Sequence, residues 1–148
     1  MCKTIVLKNA EFVRYGVMHR NTFLDSPRLL DSDFSMRKRP ELFFAGQMTG
    51  VEGYMESASS GMMAGINAVR RLQGKPTVTL PPQTMTGALS GHISDITVKD
   101  FQPMGANLGI LPPLDENIRD KKMRAEKYAL RSLEMLEPLL EKIKTGEC

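Results

Sequence analysis

Tryptophan is absent from the 148 residues, aromatic residues make up only 6% of them, and the two cysteines are Cys2 and Cys148. Two cysteines at opposite ends of a chain cannot build a disulfide framework or a cysteine-rich zinc site, so a reducing, cytoplasmic compartment is expected. No apolar run reaches the roughly 20 residues of a transmembrane helix, and the first residues lack a signal-peptide pattern. The sequence therefore predicts no membrane association.

Several chemical signatures are missing as well. No two of the twelve glycines are two residues apart, so the Gly-x-Gly-x-x-Gly fingerprint of dinucleotide-binding folds is absent. The two histidines, His19 and His92, have no second ligand at metal-site spacing, and no metal site is predicted. A Gly-x-Ser-x-Gly nucleophile elbow is also lacking. We therefore assign no catalytic residue from the sequence, and we expect His92 to lie in a surface loop.

The overall composition is that of an ordinary globular chain. Hydrophobic residues make up 41% of it and charged residues 25%, which excludes wholesale disorder. The net charge of +3 is too small to indicate nucleic-acid binding. The basic run Arg37, Lys38 and Arg39 is interpreted first as a solvated turn and only second as a phosphate contact.

Residues 42–72 carry the strongest local pattern: a short apolar run, a glycine-rich turn and a slim helix. The run at 42–45 predicts a strand buried on both faces, as in a parallel sheet. The helix is predicted over 55–72. Because glycine costs about 1 kcal/mol in a helix interior, Gly61 and Gly65 imply close packing on a sheet or ligand. The apolar side chains of this helix recur every three or four positions and predict its buried face: Met55, Ala58, Met62, Ile66, Val69 and Leu72.

Such a unit places a helix N-terminus just past the end of a strand. Unpaired backbone N–H groups and the positive end of the helix dipole then face a bound anion or electron-rich group. In doubly wound sheets this is where nucleotide cofactors bind. Many strand–turn–helix units bind nothing, however, and the residues alone leave both interpretations open.

The remaining chain divides into two parts. Residues 76–113 contain six of the nine prolines and are predicted to be irregular, with short helical turns at most around 85–89. A second amphipathic helix is predicted over 115–144, with a kink or break at Pro138. The apolar face expected for it consists of Ile118, Ala125, Ala129, Leu133, Leu136, Leu140 and Ile143.

Residues 42–61, Leu-Phe-Phe-Ala-Gly-Gln-Met-Thr-Gly-Val-Glu-Gly-Tyr-Met-Glu-Ser-Ala-Ser-Ser-Gly, resemble the C-terminal flavin motif of the folate- and FAD-dependent tRNA (uracil-5-)-methyltransferases. Residues 9–22, 101–109 and 118–122 are similar to further segments of the same family, in the same order. The resemblance covers the C-terminal third of the family's length. The family's glycine fingerprint and its proposed catalytic cysteines lie in the part that has no counterpart here.

The resemblance implies an α/β fold in which residues 1–113 form the C-terminal portion of a Rossmann-like FAD-binding domain. Residues 114–148 would be a long C-terminal helix packing on it. It implies a part of an enzyme that forms 5-methyluridine in the tRNA T loop, using FAD, methylenetetrahydrofolate and NAD(P)H. The chain alone would be inactive, and its partners would be tRNA and the missing N-terminal segment, in cis or in trans.

The resemblance also implies the roles of particular residues. The folate and tRNA site would include His19, Arg20 and Asn21, and Arg37, Lys38 and Arg39 are secondary candidates for contacting tRNA phosphate. Two alternatives are kept, a fragment of a GidA/MnmG-type flavoprotein and a non-catalytic interaction module, although the His-Arg-Asn-Thr and Phe-Gln-Pro-Met segments favour the methyltransferase branch. The residues expected along the flavin are Gly46, Gln47, Gly50, Val51, Glu52, Gly53 and Tyr54.

Overall fold

The structure is a computed structural model, and it describes residues 22–145, without the side chains of 144 and 145. Helices dominate the described part, and a two-stranded sheet accompanies them. In chain order the elements are α1 (Ser26–Leu29), β1 (Ser35–Met36), β2 (Arg39–Phe43), α2 (Tyr54–Leu72), α3 (Met85–Ser94) and α4 (Lys121–Thr145), with 3₁₀ turns at Gly46–Thr49 and Leu108–Ile110. The described part therefore combines helices with a small sheet and ends in a long helix, as the sequence predicts.

The two strands form a tight antiparallel hairpin. Ser35 pairs with Phe43 and Met36 with Arg39, with an irregular register between the two pairs. Only two exposed residues, Arg37 and Lys38, connect the strands, which confirms the solvated turn. A connection this short permits only antiparallel pairing. The prediction of a doubly buried parallel strand at 42–45 is therefore wrong, and the side chains of β2 are exposed or half-buried.

α2 begins one residue before its predicted start and ends at Leu72 as predicted. Its orientation is the reverse of the predicted one, because most of the apolar stripe, including Met55, Met62 and Leu72, is exposed. The face that packs inward carries Ser60, Met63, Ala64, Asn67 and Arg70. Polar side chains are buried on this face because each finds a hydrogen-bond partner elsewhere in the chain.

The hydrophobic core lies between α2, α3 and the hairpin. Its buried side chains come from α2, α3 and the connecting segments, and Phe43 of the hairpin packs against them. The buried residues are Phe34, Val51, Met63, Ala64, Val78, Leu89, Ile93 and Phe101. The low helix propensity of Gly87, Gly91 and the neighbouring serines explains why the ten residues of α3 were predicted only as short turns. The hydroxyl of Thr84 caps the helix by accepting a hydrogen bond from the Gly87 N–H at 3.0 Å.

Asn67 joins α2 to two other segments. Its side chain is fully buried. The amide nitrogen donates to the carbonyls of Asp33 at 3.1 Å and of Val78 at 2.8 Å, and its oxygen accepts from the Val78 N–H at 2.7 Å. One carboxamide therefore satisfies three buried backbone groups that secondary structure leaves unpaired.

Replacing Asn67 by alanine should destabilise the chain by about 2–4 kcal/mol, because three buried backbone groups lose their partner at once. Urea denaturation followed by circular dichroism measures the loss. Gln73→Ala, at the exposed end of the same helix, is the matched control and should change stability by less than about 0.5 kcal/mol. Equal effects of the two substitutions would contradict the role assigned to Asn67.

Asp33 stabilises the turn that leads into β1. Its carboxylate accepts hydrogen bonds from the Ser35 N–H at 2.9 Å and the Ser35 hydroxyl at 2.6 Å, and Arg71 lies 3.4 Å away. Burial by itself would raise the pKa of Asp33. The hydrogen bonds from Ser35 and Thr77 and the charge of Arg71 outweigh it, so that the pKa lies below its ordinary value of 3.8. These contacts hold the neighbouring Phe34 at a φ of 69°, a conformation that bulky residues rarely adopt.

A carboxyl group whose pKa is lowered by folding stabilises the folded state above its unfolded pKa, and loses this effect as the pH falls through the folded pKa. The free energy of unfolding of the wild-type chain should therefore fall more steeply below about pH 5 than that of Asp33→Asn. Urea titrations at several pH values measure the two slopes. Parallel curves for the two chains would show that Asp33 does not carry this dependence.

α4 starts later than the sequence predicts. The Asp120 carboxylate accepts a hydrogen bond from the Met123 N–H at 2.8 Å and so caps a helix that begins at Lys121. Arg131 donates to the carbonyls of Pro112 at 2.7 Å and Pro113 at 2.8 Å, which holds the preceding segment alongside the helix instead of within it.

The inward face of α4 also differs in part from the predicted one. Leu139 and Ile143 pack against the core, whereas Leu133 and Leu140 are exposed. Pro138 lies within the one continuous helix. Among the residues described, no helix combines the length and the apolar character that crossing a membrane requires.

Candidate functional site

The glycine turn, residues 46–53, leads from the hairpin to the start of α2. Three of its residues adopt positive φ angles, Gly46 at 70°, Gly50 at 84° and Gly53 at 102°, so the turn depends on glycine at these places. The Gly46 N–H donates to the Ser60 hydroxyl at 2.9 Å, which fastens the start of the turn to α2. The Gly46 carbonyl accepts from the buried Thr49 hydroxyl at 2.8 Å.

A second segment, distant in sequence, completes the turn. The Glu52 N–H donates to the Met104 carbonyl at 3.0 Å, and the Met104 N–H donates to the Gly50 carbonyl at 2.9 Å, forming a short parallel bridge. The Phe101 ring packs directly against Gly50, because a Cβ added there would overlap the ring, with Cε1 at 2.7 Å. Two of the segments that carry the family resemblance, 42–61 and 101–109, are therefore adjacent in space.

Glu56 links the same two segments from the first turn of α2. Its carboxylate lies against the Gly53 backbone, and its Oε1 accepts a hydrogen bond from the Ala106 N–H at 3.1 Å. A carboxylate in the first turn is stabilised by the positive end of the helix dipole. Glu56 is not among the site residues expected from the sequence, although its position three residues after the N-cap Gly53 is the spacing of a capping box.

The turn has an outer edge that is open to solvent. Glu52, Gly53 and Tyr54 are exposed there, and the N–H groups of Tyr54 and Met55 lie in the first turn of α2, where no intrahelical acceptor is available. We call residues 52–55 the α2 ledge. By contrast, the N–H groups of Gly50 and Glu52 already donate to carbonyls within the structure.

The predicted flavin residues therefore differ in accessibility. Val51 is 1% exposed and its side chain belongs to the core, and Gly50 is buried beneath Phe101. Gly46 is half-buried and Gln47 is exposed at the other end of the turn. Accessible groups thus lie at both ends of the turn, and its centre is a structural support.

The other predicted site residues are not all brought to this turn. His19, Arg20 and Asn21 lie outside the described residues. Arg37 forms an ion pair with Asp31 at 2.7 Å, and Arg39 forms one with Glu41 at 2.8 Å, both within the hairpin region. In residues 22–145, no three His, Cys, Asp or Glu side chains come together in a way that could hold a metal ion.

A cavity of about 360 Å³ is lined by Phe101, Phe23 and Lys99. The rings of Phe23 and Phe101 meet edge to face at 6.1 Å, and an Asp25–Arg28 ion pair of 2.6 Å lines the same cavity. His92 also reaches this region, with its ring 6.0 Å from that of Phe101. It lies on α3, so the prediction of a surface loop at His92 is wrong.

The described residues thus define a helical unit with a small sheet, in which a glycine turn exposes backbone donors at the start of a long helix and a second segment supports it from behind. Comparison with protein families then identifies it. Residues 1–76 match the family described as glucose inhibited division protein A, and the chain belongs to that family.

Curated relatives carry a more specific name, methylenetetrahydrofolate--tRNA-(uracil-5-)-methyltransferase TrmFO. The relative from Halalkalibacterium halodurans is 54% identical over 137 residues, which are 93% of this chain and 32% of that protein. Those from Desulfitobacterium hafniense and Streptococcus suis are 56% and 59% identical over 88% and 90% of this chain, and each is covered to 30%. The resemblance noted in the sequence is confirmed, and the chain spans about a third of the length of these relatives.

Gly50→Ala should destabilise the chain by about 2 kcal/mol or more, because the added methyl group meets the Phe101 ring in a backbone conformation that alanine disfavours. Thermal unfolding followed by circular dichroism measures this effect. Gly105→Ala is the matched control, because its Cβ would lie 3.5 Å from the Glu52 carbonyl, an ordinary contact. In a Phe101→Ala background, where the ring is absent, Gly50→Ala should cost less than it costs in the wild-type chain, and an undiminished cost there would contradict the packing.

Proposed function

We propose that this chain forms the flavin-ring side of the active site of a folate- and FAD-dependent tRNA (uracil-5-)-methyltransferase. The substrates would be methylenetetrahydrofolate and tRNA, with NAD(P)H as the reductant and 5-methyluridine in the T loop as the product. The observation that carries the proposal is the bridge between Gly50–Glu52 and Met104. It joins the two segments of the described part that most resemble this family into one surface.

The relatives support the methyltransferase branch over the broader family. Their shared name specifies methylenetetrahydrofolate, tRNA and uracil, and the identity of 54–59% extends over 88–93% of this chain. The family match over residues 1–76 agrees with either branch. The proposal also implies a cytoplasmic location, because tRNA is the substrate.

The residues of the α2 ledge fit the edge of a flavin ring. Gly53 has no side chain to obstruct a planar group, and the N–H groups of Tyr54 and Met55 are available as donors. The Glu56 carboxylate lies beside them and offsets part of the positive helix end. This arrangement favours an uncharged hydrogen-bond acceptor, such as a ring carbonyl, over a phosphate group.

The other end of the turn would lie toward the ribityl chain and phosphates of FAD. Gln47 is exposed there and carries an amide that can both donate and accept hydrogen bonds. When bound, FAD would supply the redox chemistry of the reaction. The residues of this chain would position it: Gly53 by allowing close approach, Tyr54 and Met55 through their N–H groups, and Glu56 by fixing the ledge to residues 101–107.

The proposal retains the two-part organisation of the chain, with residues 1–113 contributing the C-terminal portion of a Rossmann-like FAD domain. Residues 114–148 would form the helical part that packs on it. The contacts of Leu139 and Ile143 with the core, and of Arg131 with Pro112 and Pro113, support this division. The remaining two thirds of the relatives' length would supply the rest of the FAD domain, in cis or in trans.

The activity test uses a chimera of the Halalkalibacterium halodurans relative in which the 137 matched residues are replaced by those of this chain. Methyl transfer from methylenetetrahydrofolate to uracil C5 of tRNA is measured for the chimera and for the 148-residue chain alone. The chimera should be active and the chain alone inactive. Turnover by the chain alone would contradict its assignment as one part of the active site, and an inactive, folded chimera would contradict the proposed function.

Gly53→Ala in this chimera should weaken FAD retention by about tenfold or more, because the added methyl group displaces the Glu56 carboxylate and distorts the ledge on which the ring would lie. Flavin absorbance remaining with the protein after gel filtration measures retention. Gly74→Ala is the matched control, since Gly74 ends the same helix at a φ of 70° and a Cβ there meets nothing within 4 Å. Both substitutions strain a helix end and only Gly53→Ala displaces Glu56, so equal losses would contradict a role of the ledge in flavin binding.

A further inference from the structure

We propose that the outward face of α2 is the docking surface for the part of a full-length family member that this chain does not span. The inference rests on the proposed function, because it identifies where the partner segment of that function binds. The α2 outward face comprises Tyr54, Met55, Met62, Val69 and Leu72 together with Gly61 and Gly65.

These residues share one side of the helix. At 100° per residue they cluster around a direction opposite to that of Ser60, Met63, Ala64 and Asn67, which pack inward. Between 52% and 94% of the surface of each large side chain on the outward face is exposed. An apolar stripe along a 19-residue helix that is exposed to this extent is typical of an unfilled interface.

Gly61 and Gly65 lie in the middle of this face and point to close packing. A Cβ added at either position meets nothing within 4 Å. Gly87 of α3 is different, because its Cβ would meet the Leu80 carbonyl oxygen at 2.6 Å, so close packing already requires glycine there. A glycine that costs about 1 kcal/mol in a helix needs such a reason, and among residues 22–145 none is present at Gly61 and Gly65. A backbone lying directly on the two glycines would supply it.

The length of the relatives identifies the occupant. This chain spans 30–32% of the length of each of them. About two thirds of a full-length member therefore lies outside the matched part, in the same polypeptide. The outward face runs from Leu72 to Tyr54 and therefore ends at the α2 ledge. A segment that packs along the whole face arrives at the ledge and closes its open side. A second copy of this chain would cover the same apolar surface without adding the missing part of the site.

The test measures whether the face becomes covered. Cys2 and Cys148 are changed to serine, Val69→Cys is introduced, and maleimide labelling of residue 69 is followed by mass spectrometry of its peptide. Labelling is compared between the 148-residue chain and the chimera described above, without FAD, folate or tRNA. Lys38→Cys, in the exposed hairpin turn, is the matched control.

Residue 69 should label readily in the isolated chain and at least about tenfold more slowly in the chimera, where the reagent reaches it only through local opening. Residue 38 should label at the same rate in both. Equal labelling of residue 69 in the two proteins would overturn the proposal. Protection already present in the isolated chain would also overturn the proposal. Protection that disappears on dilution would identify a second copy as the occupant, and protection independent of concentration would identify a segment of this chain outside residues 22–145.

The outcome is separable from that of the proposed function. Labelling requires no cofactor or substrate, so protection of residue 69 in a chimera that binds no FAD would support the docking surface and contradict the flavin assignment. An active chimera in which residue 69 labels freely would support the proposed function and contradict the docking surface.

Discussion

Two backbone hydrogen bonds, which join Gly50 and Glu52 to Met104, determine where the ends of the glycine turn lie. They hold the chain after α3 against the chain before α2, and Phe101 fills the space that Gly50 leaves free. Glu56 adds a third connection through the Ala106 N–H. Because the turn is fixed from behind in this way, its exposed groups are confined to its two ends, and the first turn of α2 presents its unpaired donors to solvent.

The polar side of α2 explains how this turn is connected to the rest of the molecule. Ser60 binds the start of the turn, and Asn67 binds the segments at Asp33 and Val78. Each of these contacts satisfies a backbone group that would otherwise be buried without a partner, so the helix face that carries them has to point inward. The apolar residues on the other side of α2 are left exposed as a consequence. The inward orientation of the polar face therefore accounts for both the packing of α2 on the core and the exposed docking surface.

The sequence was a good guide to local structure and a poor one to orientation. The glycine turn and the bounds of α2 follow from glycine positions and helical periodicity, which are properties of neighbouring residues. The buried face of α2 could not be predicted, because Ser60 and Asn67 are buried only through partners 14, 34 and 11 residues away. The contact between Phe101 and Gly50 could not be predicted either, because the two residues are far apart in the sequence. The antiparallel pairing of the hairpin depends on its two-residue connection, and the apolar run at 42–45 does not indicate that connection.

Amide hydrogen exchange of the 148-residue chain measures whether the glycine turn and residues 101–107 form one unit. The Glu52 and Met104 amides both donate across the bridge. They should exchange at similar rates and at least about tenfold more slowly than the amides of the exposed residues Lys99 and Asp100, because exchange requires the bridge to open. Exchange of Glu52 and Met104 as fast as that of Lys99 and Asp100 would show that the two segments are not joined.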